Sequence, residues 1–306
     1  MRPMLTMLSP RTTAVTLTTL FVLACANDVT SAENTSTTTT TASSNEAALA
    51  AAKWGTNVTV TFANGKMRYR SNGLPNHARQ AQYALPTGAT RVPTAASAYA
   101  AADPSRTQSY DVQIPLTPTK AATPTSTSLG TIGVMISGAA LFNPYEGDGV
   151  TVATASNFFV KNSAGENVAF LDTCNGHPTP FGMYHYHALP PCVTAAVDVA
   201  NGPSHIIGIA FDGYPIYGDR DIDGKPITAS QLDQCNGITS PTPEFPKGTY
   251  HYVLLVAANS TSSIRCFSGT VSAAVSSSMS MSMSMPMSMP MSTPMSTPMS
   301  TTGMSH

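Results

Sequence analysis

Apolar and polar residues alternate one by one where the chain first looks structured. Val58, Val60 and Phe62 are interleaved with Asn57, Thr59 and Thr61, the period of two that marks a half-buried strand. Asn64-Gly65 follows, and because both residue types tolerate positive φ, the pair predicts a tight hairpin turn. Met67 and Tyr69 then alternate with Arg68 and Arg70 to give the return strand. Further apolar runs at 110–116, 129–136, 158–160, 167–171, 205–211 and 250–257 are short and broken by Pro, Gly or Asn. None has the length or the 3.6-residue period of a convincing helix. The pattern predicts an all-β fold with few or no helices, ordered from near Trp54 to about residue 270.

Three segments recur in the same order. Residues 132–143 align with 207–218, 172–176 with 233–237, and 182–186 with 248–252. Such recurrence changes how every motif is read. It predicts two related β-units, about 130–200 and 205–268, packed around a pseudo-two-fold axis. Residues 54–120 are then an N-terminal addition.

Composition narrows the class. Fifteen Lys+Arg against 16 Asp+Glu give a formal net charge of −1, so no broad attraction to nucleic acid or an anionic membrane is expected. Twenty-one Gly and 24 Pro exclude a helical bundle or coiled coil, because helix interiors tolerate neither.

Arg2 and Arg11 precede the uncharged apolar stretch 14–26, the layout of an export signal too short to span a bilayer. No transmembrane segment is expected in the mature chain. Ala24-Cys25-Ala26 is a cleavage pattern that would start the mature chain at Asn27; residues 22–25 also resemble a lipobox, with Cys25 as a lipid anchor. Either way the protein is secreted or extracytoplasmic. The Ser/Thr-rich leader 27–53 and the Met/Ser/Pro-rich tail 271–306 lack the apolar residues needed to offset ordering entropy. Asn34, Asn57 and Asn259 head glycosylation sequons, relevant in a eukaryotic secretory route.

Setting Cys25 aside leaves Cys174, Cys192, Cys235 and Cys266, an even number suited to an oxidising compartment. Four cysteines allow three pairings. The repeat selects Cys174 with Cys192 and Cys235 with Cys266, since each half has one Cys in Asp-x-Cys-Asn-Gly and another after its Tyr-His-Tyr strand. A cysteine zinc site is the alternative, although no C-x-x-C spacing is present.

Candidate chemistry sits in Tyr184-His185-Tyr186-His187. On a strand, the two histidines share one face and the two tyrosines the other. Both imidazoles can then reach one metal ion. In the second unit His251 stands where His185 does, and Val253 where His187 does. If the two strands face each other, His185, His187 and His251 converge, with His177 or His205 as a further ligand. Copper is favoured over zinc, because Met183 shares the strand face and ten of the 16 methionines lie from Met279 to Met304, ahead of His306. The plainer reading is a polar sheet face, and a low-complexity tail without a ligand. Asp219, Asp221 and Asp223 before Gly224 resemble the opening of a calcium loop, but Ser230 stands where an EF-hand needs its bidentate Glu. An acidic turn is the simpler account. No nucleophile elbow, H-E-x-x-H, P-loop or dinucleotide fingerprint occurs.

These motifs resemble the YHYH-domain family, named for the residues at 184–187. Residues 71–77 (Ser-Asn-Gly-Leu-Pro-Asn-His) are similar to its N-terminal signature, and 212–218 (Asp-Gly-Tyr-Pro-Ile-Tyr-Gly) and 232–237 (Leu-Asp-Gln-Cys-Asn-Gly) to later ones. The Gly-Thr-Tyr-His-Tyr segment at 248–252 and Cys266-Phe-Ser-Gly269 extend the likeness over about 57–270. The family's second motif usually ends in His, where this chain has Val253. The resemblance implies an exported β-rich domain rather than a particular reaction. Three functions follow: a metal-binding protein; a metal-dependent hydrolase or oxidase using the position left open at Val253; or a structural or carbohydrate-contacting surface module without metal.

Overall fold

A computed structural model describes residues 44–87, 92–272 and 275. The described residues begin with helix α1 (Ser44–Ala51), upstream of the expected onset of order near Trp54. Its sequence, SNEAALAA, is rich in the strongest helix former. Ala48 and Leu49 are buried in the main core, and the Trp54 indole Nε1–H donates to Leu49 O at 2.7 Å. A leader read by composition alone hides this, because two small apolar contacts suffice to dock the helix. The signal segment, Cys25, Asn34 and the tail from 276, including His306, lie outside the described residues.

Strands β1 (Val58–Ala63) and β2 (Lys66–Ser71) form the expected hairpin, with Asn64 and Gly65 both at positive φ. Strands β3 (Gln82–Pro86) and β4 (Ala98–Ala102) make a separate ribbon, and β5 (Tyr110–Pro115) joins β2. Met67, Tyr69, Tyr83 and Ile114 from this N-terminal region are buried in the same core as the central sheet. β6 (Lys120–Ser126) leads into that sheet, which takes up β7 (Thr131–Met135) and β8 (Ala140–Phe142). After the small pair β9 (Phe159–Lys161) and β10 (Asn167–Ala169) come β11 (Gly176–Pro178) and β12 (Tyr184–Tyr186). Helix α2 (Pro191–Val197) separates these from β13 (Ile206–Ala210), β14 (Pro215–Tyr217), β15 (Gly237–Ser240) and β16 (Thr249–Val253). β17 (Cys266–Gly269) returns to pair with β6. The fold is mostly β with two short helices.

The central sheet runs β11-β12-β8-β7-β13-β14-β16-β15. Its pairings are antiparallel, parallel and three antiparallel, then parallel and antiparallel, the same from either edge. β7 and β13, buried at every position, lie together at the centre. The two Tyr-His-Tyr strands, β12 and β16, therefore sit on opposite flanks. Five strand spacings separate them, about 24 Å. This corrects the expectation that they face each other.

Cys174 bonds Cys192, and Cys235 bonds Cys266. The first ties the Asp-x-Cys-Asn-Gly turn to α2, the second ties its counterpart to β17. Among the described residues no helix is long and apolar enough to cross a membrane. Asn57 uses its side-chain amide on Leu74 O and Ser137 O, so that sequon is committed to the fold.

Candidate metal site

β11 and β12 form a hairpin whose register sets His177 directly opposite His185. Gly182, at φ 86°, lets the chain reverse between them. Alternation along β12 separates two faces. On one, Tyr184 donates to Asp172 Oδ2 at 2.7 Å, and the Tyr186 hydroxyl lies 2.6 Å from His77 Nε2 and 3.1 Å from Ser137 Oγ. On the other face stand His185 and, just past the strand, His187.

Asp172 holds the turn before β11. Its Oδ1 accepts the backbone N–H of Cys174 and Gly176, while Oδ2 accepts Tyr83 as well as Tyr184. Asn175 takes positive φ there, and Gly176 is required because any Cβ would run into the Tyr184 hydroxyl. The Asp-x-Cys-Asn-Gly motif thus fixes where His177 begins its strand.

His177, His185 and His187 are buried, with 6%, 2% and 2% exposure. One ring nitrogen from each lies within 4.8 Å of the others. Phe142 on β8 stacks on His185 with ring centres 3.9 Å apart, and Phe170 packs on His177 at 4.3 Å. His185 Nδ1 lies 3.1 Å from Met183 O, and His187 Nδ1 lies 2.6 Å from Asn143 O. A carbonyl only accepts, so both Nδ1 atoms carry the proton and both Nε2 atoms present lone pairs. Those two Nε2 atoms are 2.9 Å apart. His177 Nε2 is buried with no hydrogen-bond partner. Burial, reinforced by the neighbouring histidines, holds His177 and His185 well below the usual imidazole range, and burial lowers His187 to about 4. The rings are therefore neutral near pH 7, and the Nε2 lone pairs of His185 and His187 face each other with no proton to share. A cation at the junction would resolve this conflict.

Other sequence candidates lie elsewhere. His251, expected as the third ligand, sits on the far flank; its Nδ1 donates to Thr249 O and its ring packs on Tyr217 at 4.8 Å. His205 pairs with Glu244 at 2.8 Å. Asp221 Oδ1 accepts the N–H of Asp223 and Lys225, and Asp223 pairs with Lys225. That acidic turn is closed by its own backbone; Asp219, Asp221 and Asp223 do not gather as a three-ligand group. His77 does come close to Cys174 and Cys192, but those sulfurs share a disulfide and offer no thiolate. His177, read only as a further ligand, is central. Treating 179–183 as a hairpin loop would have placed it opposite His185.

A disulfide-clamped β-sheet carrying three buried, converging imidazoles defines a β-rich protein with a candidate metal site. The family model described as YHYH protein matches residues 111–226 and 222–269, and the chain belongs to that family. No curated protein and no solved structure matches it.

Proposed function

We propose that this chain is an exported metal-binding protein, holding copper or zinc through His177, His185 and His187. The observation that carries the reading is the pair of facing Nε2 lone pairs at 2.9 Å with a ring nitrogen of a third buried histidine, His177, within 4.8 Å of them. Two imidazole nitrogens bound to one ion at about 2.0–2.1 Å would stand about 3.4 Å apart, so an opening of about half an ångström admits the metal. The backbone carbonyls of Met183 and Asn143 act as orienting partners, fixing the tautomer that presents Nε2. Export is supported by the Arg-flanked apolar segment 14–26 and by two disulfides, which persist in oxidising compartments. The near-complete burial of the three rings favours holding a metal over presenting it to a substrate. The two flanks of the sheet are best read as the related units suggested by the three sequence matches.

The test is elemental analysis of the full-length protein after metal loading and desalting. It should retain one equivalent of copper or zinc beyond that retained by a His177→Ile/His187→Val variant. These replacements copy Ile238 and Val253, which occupy the corresponding positions on the other flank, so the fold has a precedent for them. Equal retention by both proteins would remove the reading.

A further inference from the structure

We infer, resting on the metal-binding reading above, that the three-histidine site selects monovalent copper, Cu(I), over zinc and over Cu(II). Charge favours the monovalent ion. Three neutral imidazoles cancel none of the ion's charge. Among the described residues the ligand cluster is made of His177, His185 and His187 alone, with no carboxylate in it. The nearest acid along the chain, Asp172, spends its oxygens on Tyr83, Tyr184 and two backbone N–H groups on the opposite strand face. A dication here would keep its full double charge in a buried site walled by Phe142 and Phe170. The desolvation penalty grows with the square of the charge, so a monovalent ion faces about a quarter of it.

Coordination number favours the same ion. Zinc in proteins is almost always four-coordinate, with water completing the set where only three side chains bind. Cu(II) prefers a tetragonal arrangement of four or more donors. Here three rings, none more than 6% exposed, close around their own junction. Two of the three are pinned by backbone carbonyls and cannot swing apart to admit a ring of further ligands. Monovalent copper, a filled-shell ion without a geometric preference of its own, accepts three donors. Met183 shares the strand face by alternation; a thioether joining the set would be neutral and would leave the charge argument unchanged.

The experiment is a competition titration of the oxidised, full-length protein under anaerobic conditions, with Cu(I) supplied as its bicinchoninate complex and Zn(II) with a chromogenic chelator. The same titrations on His177→Ile/His187→Val separate this site from the methionine-rich tail, which both proteins carry. Copper X-ray absorption should show three nitrogen neighbours in the equivalent that the variant loses. A single His185→Gln variant, with folding checked by circular dichroism, repeats the comparison with a smaller change. Expected is one equivalent of Cu(I) lost in the variants, bound at least about 100-fold tighter than Zn(II) in the wild type. Zinc binding as tight as Cu(I) at the same histidines would overturn the selectivity and leave the metal-binding reading standing. No difference between wild type and variants for either ion would overturn both.

Discussion

The two flanks of the central sheet share a pattern of strand pairing and turn hydrogen bonds and differ at the two positions beside their common histidine. On the first, Asp172 accepts the Tyr184 hydroxyl and the N–H groups of Cys174 and Gly176. On the second, Asp233 accepts the Tyr250 hydroxyl and the N–H groups of Cys235 and Gly237. His185 and His251 sit at matching places in their hairpins, opposite His177 and Ile238, and each directs Nδ1 to the carbonyl two residues back at 3.1 Å. Each ring also packs on an aromatic, Phe142 or Tyr217. Yet where the first flank has His177 and His187, the second has Ile238 and Val253, packed with Ile227 and Leu255 in an apolar cluster. The scaffold orients one imidazole on either flank. The two further histidines make the orienting hairpin of the first flank a candidate metal site.

The sharpest way to break this comparison is to convert the first flank into the second. His177→Ile/His187→Val should weaken metal binding by about 10⁴-fold, since each first ligand contributes roughly 3 kcal/mol on the scale of structural metal sites. Isothermal titration calorimetry reads this directly. The reverse conversion, Ile238→His/Val253→His, should raise capacity from one equivalent to two without changing the first site, measured as stoichiometry at saturation. Because β12 and β16 are flanks apart, Val253→His alone cannot supply a fourth imidazole to His185 and His187, as facing strands would have allowed.

The next effect is on pH dependence. Imidazoles held below the ordinary value of 6.5 bind fewer protons when folded than when unfolded. Their contribution to apo-protein stability is therefore full above about 6.5 and is lost as pH falls towards the folded value. For His187, lowered to about 4, the loss by pH 4 is roughly 3 kcal/mol. Glu146, pushed up to about 7 by burial, acts in the opposite sense over the same range. The clean readout is the difference: denaturant melts of apo wild type and the Ile/Val variant should diverge below pH 6.5, with wild type losing more. Parallel curves would show the histidines to be solvated.

The smallest contrast lies in the tyrosines. Tyr184→Phe removes a buried hydrogen bond and should cost about 1–2 kcal/mol, whereas Tyr250→Phe, at a partly exposed hydroxyl, should cost under about 1 kcal/mol. Urea melts of the two variants test the order.

Much of this was legible before any fold was known. The alternation at 58–70 gave the first hairpin, because period-2 patterning and an Asn-Gly turn are local signals. The disulfide pairs followed from where the cysteines fall relative to each Tyr-His-Tyr strand. His185 and His187 were evident from alternation alone. The partner was not, because strand order is a long-range property: β7 and β13, the most apolar strands, pair at the centre and push the histidine strands outward. His177 depends on hairpin register, and Pro180-Phe181 within 179–183 lacks a two-residue turn signature. Composition alone hides α1, because Ala-rich sequence reads as linker until its burial is known.

The central claim, that His177, His185 and His187 share one metal ion, is tested most directly by an anomalous difference map from crystals of metal-loaded protein. The account predicts a single strong peak about 2.0–2.1 Å from Nε2 of His185, Nε2 of His187 and a ring nitrogen of His177. A map with well-occupied metal elsewhere and none at this junction would contradict it.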